Sequence, residues 1–227
     1  MASIINLDGY YANEDDSIGC GAFGVVFKGR DAEETMDVAI KRITIGQLEE
    51  KYLEREQSIL EGIIHKHIVR LYHSQRSRTY LYLVMEFCEG GHIGIYIEKN
   101  GALQRKTSLG FMQSIAEAVE YLHSRTPNIV HRDLKPENVL IQIEGGVPTI
   151  KLADFGLARP ISAAESRLQM TFGGTFNYMA PECFPDEKGI VEYSLPVDVF
   201  AMGLIFLVLH YHVQTRKPLR PIKGKNL

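Results

Sequence analysis

The run His131-Arg132-Asp133-Leu134-Lys135-Pro136-Glu137-Asn138, followed by Asp154-Phe155-Gly156, restricts the fold of this chain more than any other feature. From His131 to Asp154 it sets a candidate general base, a cation and two candidate oxygen ligands for a metal within a span of 24 residues. Val139 to Ile143 and Ile150 to Leu152 read as short strands around Gly145-Gly146, a hairpin that carries Asn138 and Asp154 at its edges. Upstream stand Gly19-x-Gly21-x-x-Gly24-x-Val26 and Val38-Ala39-Ile40-Lys41.

The segments around these motifs divide the chain in two. Residues 18–28 read as strand, turn and strand, 38–43 as a strand, 47–61 as a helix, and 68–73 and 80–87 as further strands. From about Gly90 the pattern turns helical: Leu109, Met112, Ile115, Val119 and Leu122 predict one amphipathic helix over 106–124. An α+β fold of two lobes follows, with a β-rich lobe at about 10–87, a hinge at 86–89 and a mainly helical lobe at about 90–227. The 227 residues are enough for such a pair of lobes, and 45% hydrophobic with 23% charged content is ordinary for a globular protein.

Composition excludes several classes. A net charge of −3 gives no reason to expect nucleic acid or an anionic membrane as partner. Cys20, Cys88 and Cys183 are too few and scattered for a disulfide framework or a zinc site, which points to a reducing, cytoplasmic compartment. Ile4-Ile5 lacks a preceding basic segment and is not read as a signal peptide. Residues 197–213 are nearly all apolar but hold Asp198, His210 and His212 and fall short of the roughly 20 residues that cross a bilayer, so they read as a buried helix.

The glycine pattern alone also marks dinucleotide-binding folds, where it ends a strand and opens a helix. Here Val25-Val26-Phe27-Lys28 follows at once and reads as a strand, which favours a β-hairpin whose backbone amides approach phosphate oxygens without side chains in the way.

Taken in order, the four patterns closely resemble those of a eukaryotic protein kinase of the serine/threonine type, over roughly residues 18–209. The resemblance implies ATP and Mg2+ as the nucleotide and metal, and a protein hydroxyl as acceptor. Ile18, Gly19, Gly21, Gly24, Val26, Ala39, Lys41, Glu86, Cys88 and Leu140 would form the ATP site, with Met85 as gatekeeper and the backbone of 86–88 meeting adenine. Lys41 would hold the α- and β-phosphates with Glu56 as its ion-pair partner; Glu54 is the alternative, and Leu60 on the face of Glu56 favours the latter. Asp133 would accept the substrate proton, Lys135 steady the γ-phosphate, and Asn138 and Asp154 hold magnesium. His131 is expected to be a core histidine, stacked with Phe155, Leu60 and Leu71, and the cysteines unreactive.

Within the segment 154–182 the resemblance implies a phosphosite, Thr171, paired with Arg132 after modification by an upstream activating kinase; Ser162, Ser166 and Thr175 are weaker candidates. Thr175, before Asn177-Tyr178-Met179-Ala180-Pro181-Glu182, would face the substrate, and that segment argues against a small-molecule kinase. His92 departs from the acid that relatives often carry at the ribose. After 209 the resemblance ends, leaving Glu182 without its expected arginine. The helical lobe is therefore expected to be truncated, as a fragment, an incomplete sequence or a natural form. One face of helix 197–213 would then be bare at Leu204, Phe206, Leu207 or Leu209, making the chain self-associating. The competing reading is a weak or inactive kinase acting as a binding module.

Overall fold

A computed structural model of the chain describes residues 3–21, 24–46, 50–101, 103–161, 175–184 and 194–211. The first lobe is a curled antiparallel sheet of β1 (Ile4–Leu7), β2 (Tyr10–Gly21), β3 (Gly24–Asp31), β4 (Asp37–Thr44), β5 (Leu71–Arg76) and β6 (Tyr80–Glu86). Its six strands run in the order β1-β2-β3-β4-β6-β5, and helix α1 (Glu50–Glu61) joins β4 to β5. The β2–β3 turn needs glycine at Gly24: φ is +132°, and a Cβ there would come within 2.2 Å of the Arg42 carbonyl oxygen. β1 lies ahead of the expected boundary at residue 10, and its alternating burial makes it a strand where the sequence showed only two adjacent isoleucines.

The second lobe holds α2 (Ile93–Asn100), α3 (Arg105–His123) and α4 (Pro196–Tyr211). Two small sheets, β7 (Asn128–Val130) with β10 (Arg159–Ile161) and β8 (Val139–Glu144) with β9 (Val147–Leu152), lie against α3 and carry the loops of interest. The hairpin expected around Gly145-Gly146 is β8–β9, both glycines taking positive φ. In α3 the core face is Ser108, Phe111, Ile115, Ala118, Val119 and Leu122. Leu109, expected on that face, is exposed, and Met112 is only partly buried, because the buried stripe at this end of the helix runs through Ser108 and Phe111. The strand expected over 68–73 starts at Leu71; Ile68 instead makes a lone parallel bridge to Leu152, stitching the two lobes.

One apolar cluster runs through both lobes, from Ile43, Leu53, Leu60 and Leu83 to Ile115, Leu122, Ile150 and Phe155. A separate cluster of Ile5, Leu7, Ala12, Phe27, Val38, Ile40 and Val84 covers the outer face of the sheet. In α4, Leu204 and Leu209, two of the residues expected to be bare, are buried, with Leu209 in the main cluster; Phe206 is half-buried and Leu207 exposed. Among the described residues no helix is long and apolar enough to cross a membrane.

Candidate active site

The site begins with a buried ion pair. Lys41, on the inner face of β4, places Nζ 2.6 Å from Glu56 Oε1 on α1 and 3.0 Å from Asp154 Oδ1 beyond β9. Glu56 is buried and Glu54 exposed, as the helix face through Leu60 required. Burial works to lower the Lys41 pKa, but the carboxylates of Glu56 and Asp154 outweigh it and hold the ammonium above its ordinary range. For Asp154, burial opposes ionisation, while the charge and hydrogen bond of Lys41, with a smaller contribution from His131, keep the carboxyl below its usual value. An amine on a strand, an acid on a helix and an acid after a hairpin are thereby locked into one charged array.

The second array surrounds Asp133, which is 6% exposed. Oδ2 accepts from Lys135 Nζ at 2.7 Å and Asn138 Nδ2 at 3.1 Å; Oδ1 accepts from the Thr175 backbone N–H and hydroxyl, each at 3.0 Å. Lys135 Nζ also donates to the Thr175 hydroxyl at 2.9 Å, so Thr175 touches both Asp133 and Lys135. These four donors fill the roughly four lone-pair directions of a carboxylate and fix its orientation. The loop itself hangs from α4: Asp198 accepts the backbone N–H of His131 and of Arg132, each at 2.9 Å. Arg132 adopts φ +70°, a left-handed conformation that a non-glycine residue keeps only when its surroundings hold it.

The arrays join through the backbone. Asn138 donates from its side-chain amide to the Asp133 carbonyl at 2.8 Å, and its own carbonyl accepts the Ala153 N–H at 2.9 Å, one residue before Asp154. His131 bonds Ala153 O at 3.0 Å, which makes ring Nε2 the donor, and lies 5.0 Å from the Phe155 ring. It is fully buried, the core histidine expected. With the Asn138 amide nitrogen engaged, its side-chain oxygen and the Asp154 carboxylate are left as hard oxygen ligands, a set that fits magnesium. Among the described residues no three or more His, Cys, Asp or Glu side chains gather as a metal cage, so such an ion would draw its other ligands from phosphate and water.

The remaining expected residues lie on strands of the two lobes. Val26 pairs with Lys41 across β3 and β4, with Ala39 two residues before Lys41 on the same face, and Leu140 lies on β8 of the second lobe. Ile18 and Gly21, near the end of β2, are exposed, and Gly19 between them is half-buried. Cys88 is buried; burial, then the charge of Glu86, pushes its thiol up to about 12, as an unreactive cysteine requires. Cys183 is likewise pushed up to about 12, by burial and then Glu182. His92 caps α2, its Nδ1 accepting the Ile95 N–H at 3.3 Å. Thr171, Ser162 and Ser166 lie outside the described residues.

Two contributors escaped the sequence reading. His123, at the end of α3, places Nε2 2.8 Å from Asp198 Oδ2 and so backs the loop anchor. Lys151, buried on β9, pairs with Glu86 at 2.8 Å and ties the hinge to the second lobe. A lysine inside the hydrophobic run of β9 was the available signal for the second.

Comparison with known proteins agrees with this geometry. The protein kinase domain family matches residues 12–224. Serine/threonine-protein kinase ULK1 of Homo sapiens is 38% identical over 199 residues, 84% of this chain and 18% of that protein. Serine/threonine-protein kinase ATG1c of Arabidopsis thaliana is 36% identical over 195 residues, 85% of this chain and 26% of that protein. Serine/threonine-protein kinase ULK3 of Homo sapiens is 37% identical over 204 residues, 88% and 41% of the respective chains. The chain thus spans about a fifth to two fifths of the length of these relatives. With the family match covering both charged arrays and the cleft between them, the chain belongs to the protein kinase domain family, serine/threonine type.

Proposed function

We propose that this protein transfers the γ-phosphate of ATP to serine or threonine hydroxyls of a protein substrate. The observation that carries the reading is the line of contacts from Glu56 through Lys41 to Asp154, continued through the backbone of the adjoining Ala153 to Asn138 and Asp133. Phosphoryl transfer needs alignment and charge neutralisation more than covalent help. Lys41, anchored by Glu56, supplies a fixed cation for the α- and β-phosphates at the cleft wall. Magnesium held by Asn138 and Asp154 would neutralise the charge of the phosphate oxygens. Asp133 takes the proton of the acceptor hydroxyl, and Lys135 at 2.7 Å stands ready to meet the transferred phosphoryl group. Because four donors already occupy Asp133, an acceptor hydroxyl reaches it only by displacing one, and the Thr175 hydroxyl is the donor placed to yield.

That these residues converge supports an enzyme over a binding module. The proposal extends to a phosphorylated Thr171 as activator, supplied by an upstream kinase. Arg132 is its expected partner, with Arg159 as a second candidate. Buried free thiols at Cys88 and Cys183 suit a reducing, cytoplasmic setting.

Asp133→Asn tests the reading. The near-isosteric amide cannot take a proton, and its NH2 side loses two of the four donors that meet the carboxylate, so transfer should fall by at least about 10²-fold, within the usual range for a general base. Nucleotide affinity should stay within about twofold, since Asp133 acts on the acceptor rather than on ATP. Wild-type turnover by the variant would remove Asp133 as the base.

A further inference from the structure

We propose that β1 is a strap across the back of the nucleotide lobe, and that Ile5 and Leu7 are positioning residues holding Val26, Ala39 and Lys41 through Phe27, Val38 and Ile40. The proposal rests on the kinase reading for what the inner face binds. β1 precedes residue 12, where the family match starts, so it is not part of the shared fold that the match covers.

Strand alternation supplies the physical link. On β3 and β4, Phe27, Val38 and Ile40 face outward into their own cluster, while Val26, Ala39 and Lys41 face the cleft. Phe27 pairs with Ile40 and Val26 with Lys41, so each inner residue shares its backbone with an outer neighbour. Ile5 and Leu7 are 5% and 6% exposed and close this outer cluster, while Ile4, on the opposite face of the strand, is 67% exposed. Without them this outer cluster would lose two of its seven buried members and part of the cover over Phe27, Val38 and Ile40.

The strap also compensates for a defect in the sheet. The β2–β3 pairing shifts register between Ala12 and Ser17 and again between Ser17 and Gly19, on the approach to the glycine turn. Just there β1 supplies partners: Ile4 pairs with Asn13, and the Glu14 N–H donates to Ser3 O at 2.9 Å. Glu14 in turn pairs with Arg42, whose guanidinium sits 4.9 Å from the ring centroids of Phe27 and of Tyr80. The far end is fixed across the sheet: the Asp8 N–H donates to Gln75 Oε1 of β5 at 2.8 Å, and Tyr10 stacks on His73 at 6.0 Å. One segment thus connects the glycine-loop strand to the opposite edge.

The test is the double variant Ile5→Ala/Leu7→Ala, with Ile5→Val as the mild member, read by amide hydrogen exchange and by steady-state kinetics. Exchange at Val26, Phe27 and Lys41 should speed up by about tenfold or more while Ile115 and Leu122 of α3 keep their protection, local opening being confined to one lobe. KM for ATP should rise at least about threefold with kcat at saturating ATP changed less than about twofold, the signature of lost ground-state binding. Ile5→Val should give the same pattern at smaller size. Unaltered exchange in β3 and β4, or equal acceleration in α3 by the mild variant, would overturn the strap. A wild-type protein that binds no magnesium-ATP would overturn the kinase reading and the positioning claim with it, while the exchange pattern would still decide whether the strap exists.

Discussion

Asp198→Asn is the substitution that most directly tests whether the catalytic loop is held from below. Asp198 is 1% exposed and accepts from His131 N, Arg132 N and His123 Nε2, so both oxygens of its carboxylate are engaged. An asparagine has one acceptor oxygen. If that oxygen serves Arg132, the new NH2 group faces the His131 N–H and the His123 ring; if flipped, it faces the Arg132 N–H. In either pose at least one buried backbone donor loses its partner, at about 1–3 kcal/mol, and the surviving bonds drop to about half the strength of a charge-assisted one. The sum is about 2–4 kcal/mol, which for a chain of this length lowers Tm by about 4–16 °C. Function should suffer further, because Arg132 at φ +70° is released and Asp133 moves with it. A displacement of about 1 Å at a reacting group can reduce the rate about 10²-fold. The assay is a pair: calorimetric Tm, and kcat with KM for ATP, which should hardly move since Lys41 and Asp154 hang from other elements. A variant with Tm within about 1 °C of wild type and undiminished kcat would refute the anchor.

Further outcomes follow from the same contacts. Magnesium-ATP at about 100 times Kd should stabilise the folded protein by about 2.7 kcal/mol, a Tm rise of about 5–11 °C that EDTA abolishes; no magnesium-dependent shift would count against Asn138 and Asp154 as ligands. The depressed Asp154 carboxyl contributes stability that is present above its ordinary value of 3.8 and lost as pH falls through its lower folded value. Asp154→Asn should therefore flatten the stability profile below about pH 4, read by urea unfolding across that range, and an unchanged slope would place the acid loss elsewhere. Thr171→Ala should show activity well below that of the Thr171-phosphorylated protein, and equal rates in a kinase assay would reject the site.

The chemistry was more legible in the sequence than the packing around it. Asp133, Asn138, Lys41 and Asp154 stand out because phosphate and metal chemistry admits few residue types, and helix periodicity was enough to choose Glu56 over Glu54. His123 and Lys151 were missed because a single histidine at a helix end, or a lysine in a strand, is locally indistinguishable from a solvated one. Their partners lie on elements remote in sequence: Asp198 is 75 positions from His123. Leu109 was placed on the wrong side of α3 because several faces of that helix carry apolar residues, and only contact with the rest of the lobe selects Phe111 and Ser108 for burial. β1 was unreadable for a similar reason. Four residues carry too little alternation to announce a strand, and the sheet they complete is assembled from segments as distant as Gln75.

Backbone strain shows how the two charged arrays are kept apart in function though joined in space. Among the described residues the non-glycine positions with positive φ are Glu34, Arg132 and Asp154. Glu34 sits in the β3–β4 turn, where its N–H bonds Asp31 O at 3.0 Å. The other two flank the cleft, and such conformations cost of order 1–3 kcal/mol each unless surrounding contacts hold them. Their supports differ. Arg132 is held by Asp198 from α4, within one lobe, whereas Asp154 is held by Lys41 from β4, across the cleft. A movement of α1 that withdrew Glu56 would loosen Lys41 and with it the hold on Asp154, yet leave the Asp198 anchor beneath Asp133 untouched. On the proposed reading, the support of Asp133 lies within the helical lobe, while that of Asp154 comes from Lys41 across the cleft, so loss of the Glu56–Lys41 pair would weaken the hold on Asp154 before that on Asp133.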